Sequence, residues 1–233
     1  MVTETVEKEA WEVFNGVMLG DGSLTLGQGY DNAYFRIGLS GKKTLGYLLW
    51  VKDALLTIGA SVGQQYPEVT KQVSRGRQYD CCLLRTGCSP LLTKEYFRWY
   101  PNSRKEVPVD IQLTPLSLAH WFMGDGGSSH SRQLAAVNVT LSTCGFSESS
   151  IRILEAVLGN LGLSISRADR HTVRGSGIII TILQDSVNKF MNMVQPYIVE
   201  PFLHKVKYRE RPPRRKQKHL ENMYRFECIK GIQ

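Results

Sequence analysis

One short string occurs twice in this chain, and that repetition constrains the fold more than any other feature. FNGVMLGDGSL (14–24) returns as LAHWFMGDGGS (118–128), with Asp21 in register with Asp125. The segments downstream of each copy repeat in the same order. AYFRIGLS (33–40) matches AVNVTLS (136–142), and KTLGYLLWVKDALLTIG (43–59) matches SESSIRILEAVLGNLG (147–162). YDCCLLRTG (79–87) matches GIIITILQD (177–185), SPLLTKEYFRWYP (89–101) matches DSVNKFMNMVQP (185–196), and RKEVP (104–108) matches LHKVK (203–207), which sets Lys105 opposite Lys205. Identity between the copies is low, but a preserved order of elements marks an internal duplication. The organisation read from it is a first half at 1–101, a linker at 102–114, a second half at 115–207 and a basic extension at 208–233.

Each half reads helix–strands–helix–strands–helix, an α+β pattern. Thr114 with Pro115 is a helix start, an N-cap followed by proline at the first helical position. Ser147 caps the next helix, with Glu148 in its first turn and Gly162 at its end, and Gly59 ends the equivalent helix of the first half. Ser89-Pro90 and Asp185/Ser186 open the last helix of each half, before Pro101 and Pro196. The strands alternate. Ala33, Phe35, Ile37 and Leu39 share one face, against Tyr34, Arg36 and Ser40; Val137, Val139 and Leu141 share one face, against Asn138, Thr140 and Ser142. Period-two alternation gives each half a sheet with one buried and one wet face. Duplicated polar faces on a basic protein suit a long, pseudo-symmetric ligand such as duplex DNA; an ordinary solvated face alternates in the same way.

The basic balance is concentrated. The 233 residues hold 29 Lys+Arg against 21 Asp+Glu, a formal charge of +8, yet KVKYRERPPRRKQK (205–218) accounts for nearly all of it. The segment reads either as a solvated tail or as a phosphate-neutralising one. The five cysteines show no CxxC spacing, so a zinc site is not expected and a reducing compartment is. No apolar run is long enough for a membrane span, and the acidic, polar N-terminus does not read as a signal or transit peptide.

Chemistry concentrates in the repeated motif. Ala10, Trp11, Phe14, Val17 and Met18 recur at helical spacing, as do Leu118, Ala119, Phe122 and Met123, and each apolar helix runs into Gly-Asp-Gly. A carboxylate at a helix C-terminus faces the negative end of the dipole. Asp-Gly is ordinary turn chemistry, but two such aspartates at matched positions suggest a divalent cation that draws the carboxylates and last-turn carbonyls together. Gly16 and Gly20, with Ala119 and Gly124, would let the two helices approach and bring Asp21 near Asp125. A phosphate-cradling glycine loop is disfavoured, because neither copy has the required glycine spacing with a lysine after it.

FNGVMLGDG (14–22), LAHWFMGDG (118–126) and the longer LTPLSLAHWFMGDGG (113–127) resemble the paired motifs of the LAGLIDADG homing endonucleases, in the single-chain form with two motifs. The resemblance implies two αββαββα halves packed through their motif helices, with antiparallel sheets forming a saddle over DNA. It implies metal ligation by Asp21 and Asp125 with the carbonyls of Gly20 and Gly124, and catalytic lysines at Lys105 and Lys205. The expected activity is site-specific cleavage of a long, pseudo-palindromic double-stranded DNA target by a monomer, leaving 3′ overhangs. The expected cofactor is Mg²⁺, with Mn²⁺ or Ca²⁺ able to substitute in binding. Base and backbone contacts are expected from Arg36, Gln64, Gln65, Lys71, Gln72, Arg75, Arg77, Arg132, Gln133, Asn138, Thr140, Arg167 and Arg170, and from Lys207, Arg214, Arg215 and Lys216 in the basic segment. The alternatives are a maturase-like RNA-binding protein that assists intron splicing and a non-cleaving DNA-binding regulator. An intracellular, organellar setting goes with either intron-linked reading. Asn15, His120 and Trp121 depart from the motif, so the helices need not pack as closely there. His120 reads as a packing residue ahead of a general base.

Overall fold

A computed structural model describes residues 2–206, apart from 28, 30, 75, 132–135 and 173–174. The first half comprises α1 (Val2–Leu19), β1 (Ser23–Thr25), β2 (Tyr34–Ser40), α2 (Leu45–Thr57), β3 (Glu68–Ser74), β4 (Arg77–Arg85) and α3 (Pro90–Trp99). The second comprises α4 (Pro115–Asp125), β5 (Gly126–Ser131), β6 (Ala136–Ser142), α5 (Glu148–Asn160), β7 (Ile165–Thr172), β8 (Gly175–Ile182) and α6 (Gln184–Val194), followed by a 3₁₀ segment at Glu200–Lys205. The halves are therefore αββαββα units in tandem, and their four-stranded antiparallel sheets have the matching orders β1-β2-β4-β3 and β5-β6-β8-β7.

Local chemistry sets the boundaries. Thr114 accepts from the Ser117 amide, and Ser117 returns a bond to the Thr114 amide, so α4 opens on a reciprocal capping box. Ser89 and Ser147 cap α3 and α5 in the same position. Gly59 and Gly162 take left-handed φ values of 87° and 69°, and just beyond them the amides of Ala60 and Leu163 reach back to the carbonyls of Leu55 and Leu158. The start of α6 differs from expectation. Leu183 is its N-cap, Asp185 lies inside the first turn, and the Ser186 hydroxyl accepts from the Ser164 amide instead of capping.

The alternating strands bury the expected side. Phe35, Ile37 and Leu39 of β2, and Val139 and Leu141 of β6, face the helices. The structural register places Thr143 in the position equivalent to Leu39, where its hydroxyl satisfies the Ile178 carbonyl. One apolar core runs through both halves, because α1 and α4 lie against each other between the sheets. Their approach is closest at Gly16, where an added methyl would overlap the Ser117 carbonyl and sit 2.7 Å from the His120 Cβ. This corrects the expectation of looser packing at the departures from the motif. Asn15 faces α3 and accepts from Arg98 at 3.4 Å, while His120 brings only its Cβ to the contact.

The His120 ring is fully buried, 3.0 Å from the Tyr47 hydroxyl through Nδ1, and packed edge-on to Trp50. Burial pushes its pKa from 6.5 down to about 3. A depressed pKa gives stability that is present above the unfolded value and lost as pH falls toward the folded one. Between pH 7 and 4 this one residue is expected to cost roughly 3 kcal/mol. His120→Gln should flatten that acid sensitivity by a comparable amount, measured as the urea midpoint at the two pH values.

Candidate metal and nucleic-acid site

The motif aspartates meet at one end of the α1–α4 interface. α1 stops at Leu19, and the Gly20 and Gly22 amides both bond the Val17 carbonyl, so Asp21 is held in a tight turn. α4 runs through Asp125 directly into β5. A methyl on Gly124 would lie 3.2 Å from an Asp21 carboxylate oxygen, and one on Gly20 would lie 3.4 Å from the Gly124 Cα. Gly124 is the tighter of the two positions, while a methyl at Gly20 would make only an ordinary contact.

Each turn holds a lysine. Lys105 donates to the carbonyls of Gly20 and Gly22 at 3.2 and 2.7 Å. Lys205 donates to Phe122, Met123 and Gly124 at 3.0, 2.6 and 3.0 Å. These ammonium groups sit on the carbonyl end of each helix, where the dipole welcomes a cation. Burial pushes both lysines down to about 8, opposed by the two carboxylates. Burial raises Asp21, opposed by Lys205 and Lys105. It pushes Asp125 up to about 6, with a further push from Asp21's charge and opposition from both lysines. The four groups thus form a crowded, partly desolvated cluster in which two carboxylates balance two ammonium groups when all are ionised.

Sequence reasoning missed what fixes Lys105. The Glu106 amide bonds the Trp99 carbonyl at 2.7 Å. The Glu106 carboxylate accepts from the Ser147 and Ser150 hydroxyls, and Ser150 accepts from the Val107 amide at 2.8 Å. The linker is thereby tied to the N-terminus of α5, which favours a carboxylate. The only sequence signal was the helix cap itself. Beside Lys105 and Asp125, a cavity of about 160 Å³ is lined by Ser142, Cys144, Gly145 and Phe146.

An oxygen-only donor set is present: two carboxylates with the Gly20 and Gly124 carbonyls. That chemistry suits a hard divalent cation. Among the described residues no group of three His, Cys, Asp or Glu gathers, so the shell would be completed by water or phosphate oxygens. Both glycine carbonyls already accept from a lysine, and a second lone pair on each is left for a cation.

The polar sheet faces flank this cluster. The strand registers put Arg36, Gln72 and Arg77 on the outer face of the first sheet, and Asn138, Thr140 and Arg170 on that of the second. Gln64 and Gln65 are exposed between α2 and β3. Two expected residues are on the wrong side. Lys71 pairs in register with Asp80 and bridges it at 2.6 Å on the helix-facing side. Arg167 pairs in register with the buried Ile180 and is held by Glu148 and Glu155 of α5. Polar residues occur on both faces of these two strands, so parity is unreadable from sequence. Arg75, Arg132, Gln133, Lys207, Arg214, Arg215 and Lys216 lie outside the described residues, as does the 208–233 extension. Tyr34 lies on the outer face, as its alternation implied, and Arg85 belongs there too but was missed, because only the register reveals it opposite Arg36.

Duplicated halves joined along a pair of motif helices, with a carboxylate and a lysine at the end of each helix, define a single-chain, two-motif architecture. Residues 11–190 match the LAGLIDADG DNA endonuclease family, and the chain belongs to it. It is similar to the cytochrome b mRNA maturase bI2 of Debaryomyces hansenii, 25% identical over 86% of this chain and 74% of that one. It is also similar to an uncharacterised protein, MJ1098, of Methanocaldococcus jannaschii, 25% identical over 88% and 76%. In structure it resembles the homing endonuclease I-WcaI bound to its DNA recognition sequence, with a TM-score of 0.72, 22% identity and 87% of each chain covered. I-DmoI in complex with DNA and Mn shares the fold at a TM-score of 0.51 and 12% identity, over 83% of this chain and 99% of that one. No helix among the described residues is long and apolar enough to cross a membrane.

Proposed function

We propose that this chain is a site-specific, divalent-metal-dependent endonuclease that cuts both strands of a long, pseudo-palindromic DNA duplex and leaves 3′ overhangs. The observation that carries the reading is the matched pair of carboxylates, each with its lysine, at the end of the motif-helix interface. Asp21 and Asp125, with the carbonyls of Gly20 and Gly124, would hold Mg²⁺, with Mn²⁺ or Ca²⁺ substituting in binding. Bound there, the metal would supply Lewis-acid stabilisation of charge developing on the phosphate and the leaving 3′ oxygen. The protein residues orient water and backbone. Lys105 and Lys205, depressed to about 8, carry a proton that they can release near neutral pH. Arg36, Gln72, Arg77, Asn138, Thr140 and Arg170 would face the bases, and the basic C-terminal segment would neutralise phosphates. Residues 1–101 and 115–207 would each address one half of the target.

A supercoiled plasmid carrying the target should be linearised with Mg²⁺ and left intact with EDTA. Lys105→Met or Lys205→Met should lower the cleavage rate about 100-fold and change duplex affinity less than about threefold, a typical weight for a positioned proton-transfer group. Rate and affinity falling together would make the lysines phosphate clamps. The second reading, a maturase that assists intron splicing, is favoured by the similarity to a cytochrome b mRNA maturase, which also fits an organellar setting. Tight binding of intron RNA without plasmid cleavage would select it.

A further inference from the structure

The two polar sheet faces share a plan and carry different side chains. Across the first sheet, Ser23, Arg36 and Arg85 form one row of register partners. The equivalent row of the second sheet is Gly127, Thr140 and Thr181. Ser23 and Gly127 each stand two residues after their motif aspartate, so the rows are equivalent and both adjoin the carboxylate cluster. One row holds two arginines where its counterpart holds two threonines.

Like charges directly opposite each other on a sheet repel. Among the described residues neither arginine has a carboxylate within ion-pair distance. The Arg85 guanidinium lies 4.0 Å from the centre of the Tyr34 ring, a cation–π contact that holds it on this face. Arg36 is exposed beside it. Both arginines are on the inner strands of the order β1-β2-β4-β3, facing the floor of a groove laid across the sheet. Phosphates line the rim of a groove. On its floor, the acceptor pair that fits an arginine fork is guanine O6 and N7. Threonine offers a methyl and a hydroxyl, which do not reproduce that preference.

Resting on the duplex-DNA reading, we infer that Arg36 and Arg85 read neighbouring guanines beside the centre of the target, on the side bound by the first half only. The target is then asymmetric at matched positions, with no guanine requirement opposite Thr140 and Thr181.

The test is selection of bound duplexes from a library randomised over the central positions, using the full chain with Ca²⁺. The wild-type protein should enrich neighbouring guanines on one side of the centre. Arg36→Thr and Arg85→Thr should each lose one of them, and the double variant both, each by roughly tenfold in enrichment, with the other side unchanged. Enriched sites without these guanines would overturn the inference. So would variants that weaken all duplexes equally and keep the guanines, since the arginines would then be phosphate clamps. Either result leaves the duplex-DNA reading standing. Enrichment of no duplex at all overturns that reading, and this one with it.

Discussion

Asparagine in place of Asp21, or of Asp125, is expected to abolish double-strand cleavage, a loss of at least about 10³-fold in rate, or some 4 kcal/mol of transition-state stabilisation. The substitution keeps size, removes the negative charge and turns one acceptor oxygen into an amide donor. In this site that charge is held against a cost, because burial raises both carboxyls above the usual range and Asp21 raises Asp125 further. A neutral side chain should therefore leave the metal-free fold intact or firmer. Duplex binding should persist, since the sheet residues do not touch the change. The informative measurement is linearisation against nicking of a plasmid target, run beside a binding titration and a thermal melt. Wild-type linearisation by either variant would end the two-carboxylate mechanism. Loss of binding and of melting temperature together would assign the aspartates a structural role.

The duplication made most of this architecture legible. Repeated motifs gave the two halves, helix caps at Thr114 and Ser147 gave starts, and Gly59 and Gly162 gave stops, because each is a local signal carried by one or two residues. The aspartate pair was readable for a similar reason: a carboxylate after an apolar helix conflicts with the dipole, and the conflict occurs twice. The seat of Lys105 on the helix carbonyls was not readable, since it depends on the linker being tied to α5 through Glu106, and that of Lys205 depends on the 3₁₀ segment that follows α6. Strand faces were legible where apolar and polar residues alternate cleanly, as in β2 and β6. They failed at Lys71 and Arg167, where both sides of the strand carry polar residues and those on the helix side are held by ion pairs. Arg85 was missed because register is a property of two strands.

Gly16→Ala is expected to be among the most damaging single changes to the fold, with a net loss of about 3 kcal/mol in unfolding free energy. Alanine in a helix is normally favoured over glycine by about 1 kcal/mol, so intrinsic propensity predicts the opposite sign. The added methyl would overlap the Ser117 carbonyl and approach the His120 Cβ at 2.7 Å. The first obstacle is backbone and the second is the root of a side chain, so neither can rotate away. Relief requires α1 and α4 to separate. That movement opens the core around Leu118 and Ala119 and draws Asp21 away from Asp125. Gly20→Ala is the control, because its methyl meets the Gly124 Cα at 3.4 Å, an ordinary contact. It should cost less than about 1 kcal/mol. Urea unfolding of the two variants should differ by some 2 kcal/mol or more. Equal stabilities would mean that the helices slide past each other at little cost, and that close packing at Gly16 does not hold the two carboxylates together.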